Sequence, residues 1–406
     1  MRVLLIADDL TGAADSAAAF ARPDAPVQVV AAGTGDDTLD ATLAAANRRG
    51  SVLAIDTDTR DASPQQATER LNHLLARPAI RAHHGWTLLK VDSLLRGPIA
   101  AHVAALRAAG RAERIVCAPA LPALGRTTRH GRQLVDGRPI DDRHRTDPRQ
   151  PSHGASVADA LGLDPADEPG LAIHDAASDN DLDQVLATLP PSPHARRPLL
   201  IGSAGLAGAL DRHLGCDARP SPPTRTAPSA PTTRRPSPAL VVSLSPTSTA
   251  RAQVDRLRDE RPDIVHVTVT PAMDRAERTA GAARLADALT AGADVALLTV
   301  EAAPAEGPAV ARTRAALLSG VRAVLRLAGR WPAFIGNGGD ATRCILDALD
   351  RTVFEVRAPL ADGAISCLVE VAGDRRIRLI TKSGSFGDPD ALHRAVSTLA
   401  AVPTPT

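Results

Sequence analysis

Asp8 and Asp9 stand side by side after an apolar run, in Ile6-Ala7-Asp8-Asp9-Leu10-Thr11-Gly12-Ala13-Ala14-Asp15. Two neighbouring carboxylates at the end of a strand can accept the proton of a substrate hydroxyl, bind polyol hydroxyls, or hold Mg²⁺ through water. Capping the helix that follows accounts for one aspartate. It does not account for two of them together with Thr11-Gly12. Both are candidate catalytic residues, one as base and the other holding hydroxyls or Mg²⁺-bound water, with Asp15 in support on the helix. Which of the two is the base stays open.

Lysine occurs only at Lys90 and Lys382, and arginine supplies the other 45 of 47 basic side chains. A compact ammonium and a planar guanidinium fork are not interchangeable. The two lysines that escape so strong a bias therefore mark candidate sites. Lys90-Val91-Asp92-Ser93-Leu94-Leu95-Arg96-Gly97 follows an apolar run. A lysine and an arginine six residues apart in a loop can clamp a carboxylate, while Asp92 and Ser93 bind hydroxyls. That set suits a small polyhydroxy acid. Arg126 is placed in the same site. It opens a stretch of seven arginines ending at Arg149. Asp136, Asp141, Asp142 and Asp147 are interleaved there and no aromatics accompany them, which argues against a nucleic-acid patch. His130 and His144 are lone histidines without ligand spacing.

In the second half, three turns each follow an apolar run: Val242-Ser243-Leu244-Ser245, Gly336-Asn337-Gly338-Gly339-Asp340-Ala341-Thr342, and Lys382-Ser383-Gly384-Ser385-Phe386-Gly387. Glycine-rich turns at helix N-termini expose backbone N–H groups, and the helix dipole there favours anions. Together they describe a phosphate cradle in which Ser243, Ser245, Gly338, Gly339, Asp340, Thr342, Lys382, Ser383, Gly384 and Gly387 are candidate phosphate contacts. Lys382 is expected to reach a phosphate through its ammonium. No P-loop, dinucleotide fingerprint or protein-kinase motif set is present.

Positioning these groups requires a scaffold, and the apolar runs follow a β-then-α rhythm. Strands are expected near 2–7, 27–31, 52–55, 86–91, 114–118, 171–174 and 199–202, then near 239–243, 264–269, 295–300, 333–336, 353–356, 368–371 and 377–381. Helices fall near 12–21, 64–76, 99–109, 179–189 and 204–213, then near 249–260, 276–291, 309–328, 341–349 and 389–400. Ser63-Pro64-Gln65-Gln66 has the pattern of a capping box with proline at the first helical position. The alternation predicts an α/β protein: two α/β domains with mostly parallel sheets and a ligand cleft between them. Between 217 and 238 there are seven prolines and almost no large apolar side chain, which reads as an extended linker. The expected division is a domain over 1–216 with the hydroxyl-binding motifs, the linker over 217–238 and a domain over 239–406 with the phosphate-binding turns.

Composition sets outer bounds. A 406-residue chain exceeds one hydrophobic core. With no Tyr, two Trp and four Phe there is little to stack bases on. A net charge of +1 gives no global field for nucleic acid or an anionic membrane. Cys117, Cys216, Cys344 and Cys367 are scattered without ligand spacing, as in reduced core cysteines. The start runs directly into a strand pattern, and no run reaches 18 apolar residues, so a cytoplasmic protein without membrane contact is expected. A homodimer is the commonest soluble assembly.

The ordered blocks resemble the four-carbon acid sugar kinase family, formerly a domain of unknown function. Ile6 through Asp15 is similar to its opening signature, and Lys90-Val91-Asp92-Ser93-Leu94-Leu95-Arg96-Gly97 to its Lys-x-Asp-Ser-x-x-Arg-Gly block. Pro122 through Arg126, Thr146-Asp147-Pro148 and Gly202 through Ala207 resemble its middle segments. Gly338-Gly339-Asp340 and Lys382 through Gly387 resemble its nucleotide-binding segments. The resemblance implies ATP-dependent phosphorylation of threonate-, erythronate- or 3-oxo-tetronate-like acids, with Mg²⁺. Two features depart from the family pattern. Val242-Ser243-Leu244-Ser245 stands where Gly-Ser-x-Ser is usual, and Ala341-Thr342 reverses the usual order. They touch the nucleotide contacts and leave room for a degenerate kinase that binds a sugar acid or nucleotide as a sensor. A phosphatase or ligase acting on a phosphorylated metabolite is the remaining alternative.

Overall fold

The structure, a computed structural model, describes residues 1–22, 24–143, 154–189, 197–215, 238–245, 247–301, 308–328, 331–371 and 375–401. His144, the segment 146–148, Cys216 and the proline-rich stretch 217–237 lie outside them. The backbone divides into two compact units, one from Met1–Arg22 and Val27–Arg219, the other from Pro23–Pro26 and Pro220–Thr406.

The first unit runs β1 (Val3–Ala7), α1 (Leu10–Phe20), β2 (Val27–Val30), α2 (Asp36–Arg49), β3 (Val52–Asp56), α3 (Pro64–Leu75), α4 (Pro78–Arg81), β4 (Trp86–Lys90), α5 (Ile99–Ala108) and β5 (Ile115–Ala118). It continues with β6 (Arg126–Arg129), β7 (Arg132–Val135), β8 (Arg138–Pro139), α6 (Val157–Leu161), β9 (Leu171–Ile173), α7 (Asp179–Ala187), β10 (Leu199–Gly202) and α8 (Ala204–His213). Seven strands make a parallel sheet in the order β2-β3-β1-β4-β10-β5-β9. All five residues of β1 are buried and apolar, the pattern of a strand covered on both faces. The order reverses at β1: the chain leaves it for β2, then passes over it from β3 to β4. Register places Ala7 opposite both Asp56 and Lys90, and Lys90 opposite Gly202. The loops after these strands therefore emerge at one edge, where open α/β sheets bind ligands.

The second unit runs β11 (Ala239–Ser243), α9 (Ser248–Glu260), β12 (Val265–Val269), α10 (Arg275–Ala291), β13 (Val295–Val300) and α11 (Pro308–Leu327). Then follow β14 (Ala333–Asn337), α12 (Gly339–Ala348), β15 (Val353–Pro359), β16 (Ala364–Glu370), β17 (Arg376–Lys382) and α13 (Ala391–Ala401). Its sheet has the order β12-β13-β11-β14-β17-β16-β15, with β12 to β17 in parallel and the last two strands antiparallel. Val241, Leu257, Leu297, Ile335, Ile380 and Leu392 form its core. Each such buried side chain contributes roughly 1.5–3 kcal/mol. Ser243, Asn337 and Lys382 lie level across β11, β14 and β17.

Some elements depart from the expectation. Helix α2 buries only Leu39, Leu43 and Ala46, a stripe too narrow to stand out in a polar segment. The arginine-rich stretch folds into the antiparallel sheet β6-β7-β8, turned at His130-Gly131 and Asp136-Gly137, all four with positive φ. The capping box at Ser63 and Gln66 forms as the sequence predicts. No helix among the described residues is long and apolar enough to cross a membrane.

Candidate functional site

Asp8 leaves β1 buried, and Arg60, from the loop after the neighbouring strand β3, grips it with a fork. Nη2 donates to Oδ1 at 2.6 Å and Nε to Oδ2 at 3.0 Å. The same Nη2 lies 2.7 Å from Asp9 Oδ1. Asp9 also caps α1, accepting from Gly12 N–H at 2.9 Å and from the Thr11 hydroxyl at 2.5 Å. Asp9 is thus both the cap of α1 and a member of this charged cluster. Burial would raise its carboxyl, but Arg60, Lys90 and Thr11 hold it below the usual range. Burial likewise opposes the charge on Arg60, and Asp8, Asp9 and Asp92 override it.

Lys90 ends β4 buried, its ammonium donating to Val91 O at 2.9 Å. A Cβ on Gly12 would lie 2.4 Å from Asp9 Oδ1 and 2.8 Å from Lys90 Nζ. Only glycine lets α1 come this close. Arg96 Nε donates to Asp92 Oδ2 at 2.5 Å. Burial would raise Asp92, yet Arg96, Arg60 and Arg126 keep it well below the carboxylate range. Arg126, first residue of β6, donates to the Ser93 hydroxyl at 2.5 Å. The buried Gln133 amide on β7 donates to Ser93 O at 2.8 Å, pinning this hairpin to the loop. Asp8, Asp9, Lys90, Asp92, Ser93, Arg96 and Arg126 are thus linked into one cluster, directly or through Arg60. A cavity of about 910 Å³ opens elsewhere, at the amino ends of β4, β5 and β10. Exposed arginines 81, 114 and 197 line it, without a buried charged group. The carboxyl edge, where buried charges gather, is the better candidate.

In the second unit the three turns meet at Ser245. A Cβ on Gly384 would fall 2.2 Å from Ser245 Oγ, and one on Gly338 would fall 3.3 Å from Ser245 Cβ. Gly338 N–H donates to Lys382 O at 2.8 Å. Thr247, the N-cap of α9, donates to Gly384 O at 2.8 Å. Asn337 Nδ2 donates to Ser243 Oγ at 3.2 Å, while its buried Oδ1 has no partner. Gly338 caps α12 with no side-chain bond, which leaves the first N–H groups of that helix available to an anion.

Three expected nucleotide contacts are placed differently. Lys382 has no exposed surface, and its ammonium donates to Gln253 Oε1 at 2.7 Å, Ser383 O at 2.8 Å and Phe386 O at 2.7 Å. All three of its protons are used inside the turn, so the expected direct grip on a phosphate is not what this geometry offers. Burial pushes it down to about 8. Thr342 is also fully buried, bonded to Gly338 O and the Thr381 hydroxyl, and backs the turn from within. Asp340 is exposed and paired with Arg314. Ser383 and Gly387 sit in the turn that Lys382 holds, and Gly339 starts α12.

The sequence reading missed Arg60, Gln133 and Gln253. Arg60 follows Asp56-Thr57-Asp58-Thr59, a polar run after a buried strand, which is the signal that marks Asp8 and Asp9. Gln253 donates to Phe386 O, Gly387 O and Asp388 O, a bond set no local pattern announces.

Residues 3–171 match a family model described as a sugar-binding N-terminal domain, and residues 240–392 one described as a nucleotide-binding C-terminal domain. A D-threonate kinase of Bordetella bronchiseptica is 28% identical over 97% of this chain and 96% of that protein. A D-threonate kinase of Salmonella typhimurium is 28% identical over 63% of this chain, which spans 60% of that protein's length. One of Cupriavidus necator is 41% identical over 35% of this chain and 32% of that protein. A solved Salmonella typhimurium structure superposes with a TM-score of 0.70 at 20% identity, covering 97% of this chain and 98% of that one. A Haemophilus influenzae structure gives 0.64 at 17% identity, covering 98% and 100%. At these identities the two structures speak to the fold alone.

Proposed function

The chain belongs to the four-carbon acid sugar kinase family, and from that premise we propose that it is an ATP-dependent kinase. It would phosphorylate a hydroxyl of a small sugar acid such as threonate, erythronate or a 3-oxo-tetronate. The observation that carries the reading is the cluster at the carboxyl edge of the first sheet. Lys90, Arg96 and Arg126 are cations for a carboxylate, while Asp8, Asp9, Asp92 and Ser93 are acceptors and donors for hydroxyls. In the second unit, the turns around Ser245 and the open N-terminus of α12 offer N–H groups to the nucleotide's phosphates. Phosphoryl transfer needs positioning and charge stabilisation more than covalent chemistry, and these two sets supply both.

Asp9, more exposed than Asp8, orients the acceptor hydroxyl, and Asp8 anchors Arg60. Lys382 and Gln253 shape the phosphate turn rather than touch the phosphate. Among the described residues no group of three His, Cys, Asp or Glu could hold a metal ion, and Asp8, Asp9 and Asp92 each already hold a guanidinium. This donor set does not fit a protein-held Mg²⁺. We assign the ion to the nucleotide's own phosphates and the protein to the cytoplasm, where ATP is available.

Burial of Lys382 favours one alternative, a degenerate kinase that binds its ligands as a sensor. Measuring ADP release across C4 to C6 aldonic and 3-oxo acids decides between them. ATP-dependent release with at least one acid is expected. Binding of acid and nucleotide without any release overturns the kinase reading in favour of the sensor.

A further inference from the structure

Four aspartates gather where α1 leaves β1 and where β4 ends, and three of them are occupied. Asp8 and Asp9 share Arg60, and Asp92 holds Arg96. Asp15 is the exception: it forms no hydrogen bond or ion pair among the described residues. It lies on α1 one turn beyond Gly12, the residue that abuts Lys90 Nζ. Its side chain is half-buried, so solvent and a small ligand can reach it.

Resting on the kinase reading, we propose that Asp15 is the general base, the carboxylate that takes the proton of the acceptor hydroxyl. In that step the hydroxyl oxygen bonds to the terminal phosphorus of ATP and the bond from that phosphorus to the bridging oxygen breaks. ADP leaves with the electron pair, and the proton passes to Asp15. A base must hold an available lone pair and a proton affinity matched to working pH. Asp8, Asp9 and Asp92 fail on the first count, because guanidinium and N–H donors already occupy them. Asp15 meets both. Burial pushes its carboxyl up to about 7, Asp9 adds to the rise, and Lys90, Arg60 and Arg126 restrain it. Asp211 of α8, the helix packed against α1, is tied to Arg22 at 2.8 Å. The division of labour is then clear: occupied carboxylates orient, and the unoccupied one moves the proton.

The test is the pH profile of ADP release, with whichever acid the panel identifies, for the wild-type chain, Asp15→Asn and Asp15→Glu. Wild-type kcat is expected to rise with pH through about 7 and then level off. Asp15→Asn is expected to lose about 10²–10⁴-fold in kcat at the plateau, with a flat profile and little change in KM for the acid. Asp15→Glu should recover part of the rate. The asparagine variant is nearly isosteric, and its far-UV circular dichroism checks folding. An Asp15→Asn enzyme with wild-type kcat and an unchanged pH profile overturns the assignment and leaves the kinase reading standing. A wild-type chain that binds acid and nucleotide but releases no ADP overturns both.

Discussion

Lys382 Nζ lies 2.7 Å from Gln253 Oε1, and neither side chain has exposed surface. The ammonium and the amide together hold the turn from Ser383 to Asp388, reaching four of its carbonyls between them. This makes Lys382 a positioning residue. Lys382→Met would leave Gln253 Oε1 and Ser383 O without this donor, while Phe386 O keeps the Gln253 amide. Orphaned buried acceptors cost about 1–3 kcal/mol each, so a loss of a few kcal/mol in denaturant unfolding is expected. Nucleotide affinity should fall with it, and sugar-acid affinity should not. Lys382→Arg should not rescue, because a fully buried site has no room for the larger fork. Unchanged stability in Lys382→Met would show that the latch carries no weight.

Arg60 poses the converse problem, a cation whose removal strands anions. Asp8 is buried, and both its oxygens face the Arg60 fork. Breaking a buried pair by removing one partner typically costs about 3–5 kcal/mol. Arg60→Met is expected to lose stability of that order, measured by urea unfolding at neutral pH. Lowering the pH should narrow the gap to wild type, since Arg60 helps hold the Asp9 carboxyl below the usual range and wild type loses that contribution as the pH falls. Arg60→Lys should recover only part, because an ammonium cannot repeat the two-pronged contact and still reach Asp9. A gap that does not depend on pH would point to lost packing instead.

Much of this was legible in the chain. The strand-end blocks at Asp8-Asp9 and Lys90 to Gly97 could be placed because a buried parallel strand is a continuous apolar run, and polar residues just beyond it stand out. Arginine bias singled out Lys90 and Lys382. The chemical role of Lys382 was hidden, since the arginine bias marks the position but does not say whether its ammonium faces a ligand or a carbonyl. Long-range pairs such as Arg60 with Asp8 and Gln253 with Phe386 depend on which strands become neighbours. Helix α2 escaped notice for want of apolar contrast, and the β6-β7-β8 sheet because its arginines masked an Asp-Gly turn.

Asp15 offers a readout that needs no substrate. Its carboxyl is pushed up to about 7 in the folded chain, whereas an unfolded aspartate titrates near about 3.9. A raised carboxylate binds its proton more tightly when folded, so its contribution to stability is full at low pH and is lost as pH rises towards about 7. Asp15→Asn cannot ionise and escapes that loss. The melting temperature of the variant should therefore gain on wild type from weakly acidic to neutral pH and hold its lead above. Parallel melting curves across the range would mean that Asp15 titrates normally.

Arg126 tests whether the first unit recognises a carboxylate by shape as well as charge. The guanidinium is set by Ser93, whose own carbonyl is fixed by the buried Gln133 of the same hairpin. Such a group is oriented before the ligand arrives, and a bidentate match to a carboxylate needs both its prongs. Arg126→Lys keeps the charge and loses the fork. It is expected to raise KM for the acid by about 10-fold, the equivalent of about 1.4 kcal/mol, while kcat changes little, because a carboxylate clamp binds ground state and transition state alike. Gln133→Leu should give a milder rise in KM, since it frees the Ser93 loop without touching the guanidinium. The nucleotide KM should stay constant in both variants. A fall in kcat with KM unchanged would instead place Arg126 at the transferring phosphoryl group.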